Sequence, residues 1–247
     1  MRYFLELAYR GSAYHGWQRQ PNAVTVQEKV EDALAILLRE PVEVVGAGRT
    51  DTGVHARQLF AHFDLEAELS PDFVFKMNSV LPMDIAVRSL LKMKPEAHAR
   101  FDALSRTYEY HVVLEKDPFS LESAYFLKRK PDLKKMNEAA KMLMEYSDFK
   151  CFSRSRTDVR TYTCRIEEAY WEKRGESLMF TIKADRFLRN MVRAVVGTLL
   201  EIGWGKLEIE ELHQIIKSKN RSEAGASVPA HGLYLTKVEY PNNIFSD

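Results

Sequence analysis

Eleven residues, Gly46-Ala47-Gly48-Arg49-Thr50-Asp51-Thr52-Gly53-Val54-His55-Ala56, place three glycines, an arginine, an aspartate and a histidine between two stretches of strand character. Residues 42–47 read as the strand before the loop. Residues 57–64 read as the strand after it, with Leu59, Ala61 and Phe63 on one face. Glycine admits positive φ and lets another molecule come close. The pattern therefore fits a hinged loop that presents Asp51 as a catalytic carboxylate, with Arg49 beside it. The alternative is a turn aspartate that bonds its own backbone, and on residue types alone the two readings stand level. A nucleotide loop fits poorly. The spacing is not G-x-G-x-x-G, the loop leads into a strand and not a helix, and no Gly-Lys-Ser/Thr follows.

The elements that must position this loop have to come from 247 residues, enough for one large or two modest domains. An apolar share of 45% indicates a folded chain, and no apolar run approaches membrane-span length. Glu6 comes too early for a secretory signal. Two cysteines, Cys151 and Cys164, supply neither a disulfide framework nor a four-ligand zinc site. Inert buried thiols and a cytoplasmic location are the expectation. Net charge is +1, but it is unevenly spread: residues 1–104 carry 12 Lys and Arg against 14 Asp and Glu, the rest 24 against 21. Basic residues bunch at Lys128-Arg129-Lys130 with Lys134 and Lys135, at Arg154, Arg156, Arg160 and Arg165, and at Arg186, Arg189 and Arg193. The first bunch alone reads as solvated surface. Three bunches interleaved with aromatics in one half point to nucleic acid.

Residues 2–9 read as a strand, followed by a loop containing Trp17-Gln18-Arg19-Gln20. That loop either contacts RNA by stacking and phosphate pairing or keeps Trp17 as an anchor beneath it. Thr25 and Glu28 form a capping box for a helix with Val26, Val30, Ala33, Leu34, Leu37 and Leu38 as its stripe, stopped by Pro41. A second helix starts at Ser70-Pro71-Asp72 with Pro71 in its first turn and Phe73, Met77 and Val80 as its apolar side. Residues 85–93 complete a β-α-β-β-α-β order, the ferredoxin-like unit. The order repeats: a strand over 106–115, a helix over 131–145 striped by Leu133, Met136, Ala140, Leu143 and Met144, strands over 159–171 and 178–183, an amphipathic helix over 187–202, a shorter one over 207–217, and a strand over 232–240. The expected fold is α+β, with two similar halves, 1–104 and 105–247, and a cleft between them as the place for a site. Arg156-Thr157-Asp158 repeats the Arg-Thr-Asp triplet without glycines, and reads as coincidence or RNA-facing surface.

Gly48-Arg49-Thr50-Asp51-Thr52-Gly53-Val54-His55-Ala56 resembles the signature loop of the tRNA pseudouridine synthase A family. The likeness extends in order through Tyr9-Arg10-Gly11-Ser12-Ala13-Tyr14-His15-Gly16-Trp17-Gln18-Arg19-Gln20, Val26-Gln27-Glu28, Asn78-Ser79-Val80-Leu81-Pro82-Met83-Asp84-Ile85, His98-Ala99-Arg100-Phe101-Asp102-Ala103, Arg106-Thr107-Tyr108-Glu109-Tyr110, Phe187-Leu188-Arg189-Asn190-Met191-Val192-Arg193 and Gly232-Leu233-Tyr234-Leu235. Thr52 stands where the family usually has Ala, a small change expected to be tolerated. The resemblance implies two ferredoxin-like halves with joined antiparallel sheets and a basic cleft, a homodimer, and conversion of uridine to pseudouridine at tRNA positions 38, 39 and 40 in the anticodon stem-loop without cofactor or metal. It implies Asp51 as nucleophile, Arg193 as its ion-pair partner and Tyr108 stacked on the target base. Arg49, Arg19 and Arg189 are the further substrate contacts expected.

The chemistry suits these residue types. The reaction breaks C1′–N1, turns the uracil and makes C1′–C5. It needs an ionised carboxylate, which a nearby guanidinium maintains even in a half-buried cleft, with Arg49 and Arg193 as candidates. The uridine must be turned out of its stem, at a cost of about a few kcal/mol, and a tyrosine face returns roughly 1–3 kcal/mol by stacking. Residue types leave open whether Asp51 attacks covalently or deprotonates the ribose to a glycal, and whether Tyr108 faces the core. His55 reads as structural. The rivals are a non-catalytic RNA-binding protein of the same fold and a metal-dependent hydrolase built on Asp51, His55 and His62, for which no metal-ligand spacing is present.

Overall fold

Residues 2–9 fold as the strand expected of them, and most elements follow the apolar periodicity of the chain. The computed structural model describes residues 1–154 and 160–246, so Arg156-Thr157-Asp158 and the start of the strand expected at 159 lie outside the described residues. The chain divides into two units, Met1–Leu104 with Tyr234–Asp247, and Ser105–Leu233. It is a mixed α and β protein, with mostly antiparallel strands and five α-helices among the described residues.

In the first unit the elements are β1 (Arg2–Tyr9), α1 (Val26–Leu38), β2 (Val45–Gly46), β3 (His55–Asp64), α2 (Phe73–Val80) and β4 (Ile85–Met93). Their strands run β4-β1-β3, with β2 on the far half of β3, all antiparallel. Leu5 faces Ala61 on one side and Leu90 on the other. The last strand of the chain, β9 (Leu233–Glu239), joins the near end of β3 in parallel, His55 opposite Tyr234 and Ala56 opposite Leu235. β3 is covered on both faces. Leu59, Ala61 and Phe63 are buried as expected, but so are Phe60 and His62, because Tyr240 packs edge-on against Phe60 at 5.3 Å and Phe4 at 5.5 Å. Thr25 and Glu28 form the capping box of α1.

The second unit carries β5 (Ser105–Val113), β6 (Tyr125–Phe126), α3 (Leu133–Met142), β7 (Ile166–Arg174), β8 (Ser177–Ala184), α4 (Met191–Gly203) and α5 (Ile209–Ser218). Strands run β5-β8-β7, antiparallel, with β6 parallel to β5. One device recurs in both units. Asn78 of α2 bonds both the N–H and C=O of Val87 in β4, each at 2.8 Å, and Asn137 of α3 does the same to Trp171 in β7, at 2.7 and 2.9 Å. Each helix thus satisfies backbone groups that its strand leaves unpaired. Cys151 and Cys164 are fully buried, and burial pushes both thiols up to about 12.

Several boundaries differ from expectation. The strand over 42–47 is only Val45–Gly46, because pairing to β3 covers just those residues. α2 starts two residues past Pro71, since Ser70 and Phe73 first close a turn (3.0 Å) and Asp72 becomes the N-cap. Val80 and Met144 lie on the surface, not in the helix stripes. The helix over 131–145 tightens to a 3-10 turn at Leu143–Glu145. The helix over 187–202 begins only at Met191, after Asn190 takes a left-handed conformation at φ +66°. Eleven of its thirteen residues are buried, Arg193 and Glu201 being the two that are not, so the apolar face wraps most of its circumference.

Candidate active site

Asp51 opens a four-residue turn. Its carbonyl accepts the Val54 N–H at 3.1 Å, and Gly53 sits at φ +78°, the third position, where a type II turn calls for positive φ. The turn's backbone is gripped from outside by the Tyr9–Trp17 segment. On the entry side, the Thr50 carbonyl accepts the Trp17 N–H (3.2 Å) and the Thr50 hydroxyl is 2.8 Å from the Tyr9 hydroxyl, both residues buried. In the middle, the Gly53 N–H donates to the Tyr14 carbonyl at 3.3 Å. On the exit side, the Gly11 N–H donates to His55 Nδ1 at 3.0 Å. Two backbones this close leave no room for side chains: a Cβ on Gly16 would stand 2.4 Å from the Thr50 carbonyl oxygen, and one on Gly11 would stand 2.0 Å from that of Val54.

The clamp is itself anchored. Trp17 is 2% exposed, stacks with Tyr9 and abuts Gly46, where a Cβ would meet its indole nitrogen at 2.4 Å. Trp17 is therefore the anchor and not an RNA platform. The Tyr14 hydroxyl donates to Asp84 at 2.5 Å, and the Arg10 N–H reaches the Asp84 carbonyl at 2.9 Å. Burial, followed by that carboxylate, raises the Tyr14 pKa. Three separate sequence motifs thus meet around one turn. That convergence could not be read from spacing, since the contacts join residues about 40 and 70 positions apart.

Asp51 is half-buried, and Arg49 and Thr52 are exposed. The exposure of Thr52 explains why a hydroxyl is accommodated there. Arg19 is exposed and its guanidinium pairs with the buried Glu31 at 2.8 Å; Glu31 also accepts from Gln27 and from the Val44 N–H. Arg19 thus has a structural partner that its sequence context did not reveal.

The remaining expected residues belong to the second unit. Tyr108 lies half-buried on β5, edge-on to Phe187 at 5.1 Å, while Tyr110 is fully buried and donates to the Pro229 carbonyl at 2.9 Å. The two tyrosines share one face of the strand, with Tyr110 under full cover and Tyr108 nearer the strand's start, where cover is partial. Arg193 stands half-buried in the first turn of α4, and its Nε donates to the Val228 carbonyl at 2.7 Å, while the Val228 N–H returns a bond to the Arg193 carbonyl at 3.2 Å. The chain at Val228 therefore fixes the guanidinium's direction. Arg189 is exposed, and its carbonyl accepts the Arg154 N–H at 3.0 Å.

His55 and His62 do not converge with Asp51 as metal ligands would. They stand seven positions apart on one strand, roughly 23 Å, and each Nδ1 already accepts a backbone N–H, from Gly11 and from Ala99. No group of three or more His, Cys, Asp or Glu gathers as a metal site among the described residues.

Comparison with known proteins supplies the class first. The model of the family described as tRNA pseudouridine synthase matches residues 139–241. Similar proteins extend over the rest. The tRNA pseudouridine synthase A of Parabacteroides distasonis is 54% identical, with 99% of this chain and 98% of that protein covered. That of Porphyromonas gingivalis is 50% identical, with 99% of each covered. That of Acetivibrio thermocellus is 38% identical over 96% of this chain and 98% of its own. The chain belongs to the tRNA pseudouridine synthase A family.

Proposed function

We infer that this protein isomerises uridine to pseudouridine in tRNA, with Asp51 as the catalytic carboxylate. The observation that carries the reading is the position of Asp51 at the head of a turn bonded on both sides to the N-terminal segment, half-buried and two residues after Arg49. A carboxylate that must act on one ribose or base carbon gains from such fixing, since a misplacement of about 1 Å can cost roughly 100-fold in rate. Full-length likeness to proteins named tRNA pseudouridine synthase A supports the substrate class and reaction.

In detail, the target uridine is turned out of the anticodon stem-loop, at positions 38, 39 and 40. Asp51 promotes cleavage of C1′–N1, the uracil turns while Tyr108 stacks on it, and C5 bonds to C1′. Uracil loses its C5 proton and N1 gains one, so the product is an isomer and nothing is oxidised. Arg193 is the ion-pair partner of Asp51, and Arg49, Arg19 and Arg189 contact the RNA backbone. The halves, 1–104 and 105–247, are ferredoxin-like with joined sheets and a basic cleft, and the enzyme works as a cytoplasmic homodimer. The strand order β4-β1-β3-β2 of the first unit supports the ferredoxin-like reading.

The test is to incubate the purified protein with unmodified tRNA transcripts, without added metal or cofactor, and map pseudouridine by nucleotide. Pseudouridine confined to positions 38–40 is the expected result. Its absence from every transcript would overturn the reading.

A further inference from the structure

His55 directly follows the turn that Asp51 opens, and its surroundings give it a duty that a strand-end histidine does not ordinarily have. It is 1% exposed, so substrate does not touch it. Its Nδ1 accepts the Gly11 N–H at 3.0 Å, which puts the ring proton on Nε2 and keeps the ring neutral while that bond stands. Its ring lies against Tyr234, with centroids 4.6 Å apart and planes 26° from parallel, and Tyr234 is its register partner across β3 and β9. Arg57, two residues on, lies over the same tyrosine at 5.3 Å. The imidazole is thus fixed in plane by an aromatic face and in rotation by a backbone donor.

What it fixes in turn is the approach of two backbones. Gly11 passes so close to the Val54 carbonyl that no side chain fits between them, and the bond to His55 holds that approach. Only Thr52, Gly53 and Val54 separate His55 from Asp51, and the Gly53 N–H is itself bonded to the Tyr14 carbonyl. A shift at His55 therefore has little backbone in which to dissipate before it reaches Asp51.

We propose that His55 is a positioning residue for the reaction: as the acceptor for the Gly11 N–H it locks the Asp51 turn against the N-terminal segment, and so sets the aim of the carboxylate. This rests on the reading of Asp51 as catalytic. The discriminating pair is His55→Phe, which keeps the aromatic stack and removes the acceptor, and His55→Asn, whose Oδ1 can occupy the place of Nδ1 without the ring. Single-turnover and steady-state kinetics on a tRNA transcript should show His55→Phe losing about 10- to 100-fold in kcat with KM nearly unchanged, and His55→Asn restoring most of the rate. Equal rates for His55→Phe and the wild type, or equal loss in both variants, would overturn the proposal. Should His55→Phe fail to fold, nitrogen-15 spectra of wild-type His55 decide. The Nε2–H tautomer at neutral pH is expected, and Nδ1–H would overturn the assignment. An inactive wild-type protein would instead refute the functional reading, so the two failures are separable.

Discussion

Single residues divide between those whose type announces their work and those whose work comes from a distant partner. Tyr110 and the two cysteines are of the first kind. A tyrosine on an apolar strand face and isolated thiols each carry a local signal, and the structure places Tyr110, Cys151 and Cys164 in the core. With both thiols buried and their pKa values pushed up to about 12, a thiol-reactive chromophore should leave the native protein unmodified and label two groups after denaturation. Prompt labelling of the native protein would contradict that burial. His62 is of the second kind. It is buried in β3, its Nδ1 accepts the Ala99 N–H, and burial, then the charges of Arg2 and His98, push it down to about 4. The unfolded chain takes up this proton near the ordinary 6.5, the folded one only near pH 4. Stability is therefore complete above 6.5 and declines as pH falls through that interval, by on the order of 3 kcal/mol. Urea midpoints at pH 7.5 and 5 should converge in His62→Asn, which keeps an acceptor for Ala99. An undiminished difference would mean that other groups carry it.

At the scale of elements, apolar periodicity made most helices and strands legible, and it erred where tertiary contacts decide. The helix over 187–202 looked amphipathic because Arg193 and Glu201 interrupt it, yet packing covers nearly all of its circumference, and Asn190 delays its start. The Gly11–Trp17 clamp was visible as a motif but not as a clamp, since no local pattern reports that the Thr50 carbonyl lies against Gly16. The glycines of this region now separate by role. Gly16→Ala must both strain φ +87° and displace the Thr50 backbone, so it should lose about 1–3 kcal/mol of stability and most of the turnover. Gly48 has no atom within 4 Å of where a Cβ would stand and no positive φ. Gly48→Ala should melt with the wild type, and if its activity falls, that open space is where substrate approaches. Thermal melts of the two variants side by side check this, and equal stability would contradict the close approach.

For the whole molecule, the order of elements and the family were readable from end to end, because the motifs are local and lie in sequence. The grouping of residues 234–247 with the first unit was not readable, because it depends on β9 pairing in parallel with a strand about 180 positions earlier. Net charge of +1 hides the basic bunches of residues 105–247, and local potential governs RNA association more than net charge does. Contacts with several phosphates should make tRNA affinity fall steeply with salt, with a log–log slope near −0.7 to −0.9 for each phosphate neutralised. A flat response would refute phosphate contact as the main source of affinity. The central claim, that Asp51 carries the chemistry and does not merely shape the loop, meets its most direct test in Asp51→Asn, a change of one oxygen to a nitrogen with the turn retained. Measured by tritium release from 5-tritiated tRNA beside a filter-binding titration, this variant is predicted to lose turnover while binding tRNA within a few-fold of the wild type (about 1 kcal/mol). Turnover persisting in Asp51→Asn would contradict the account.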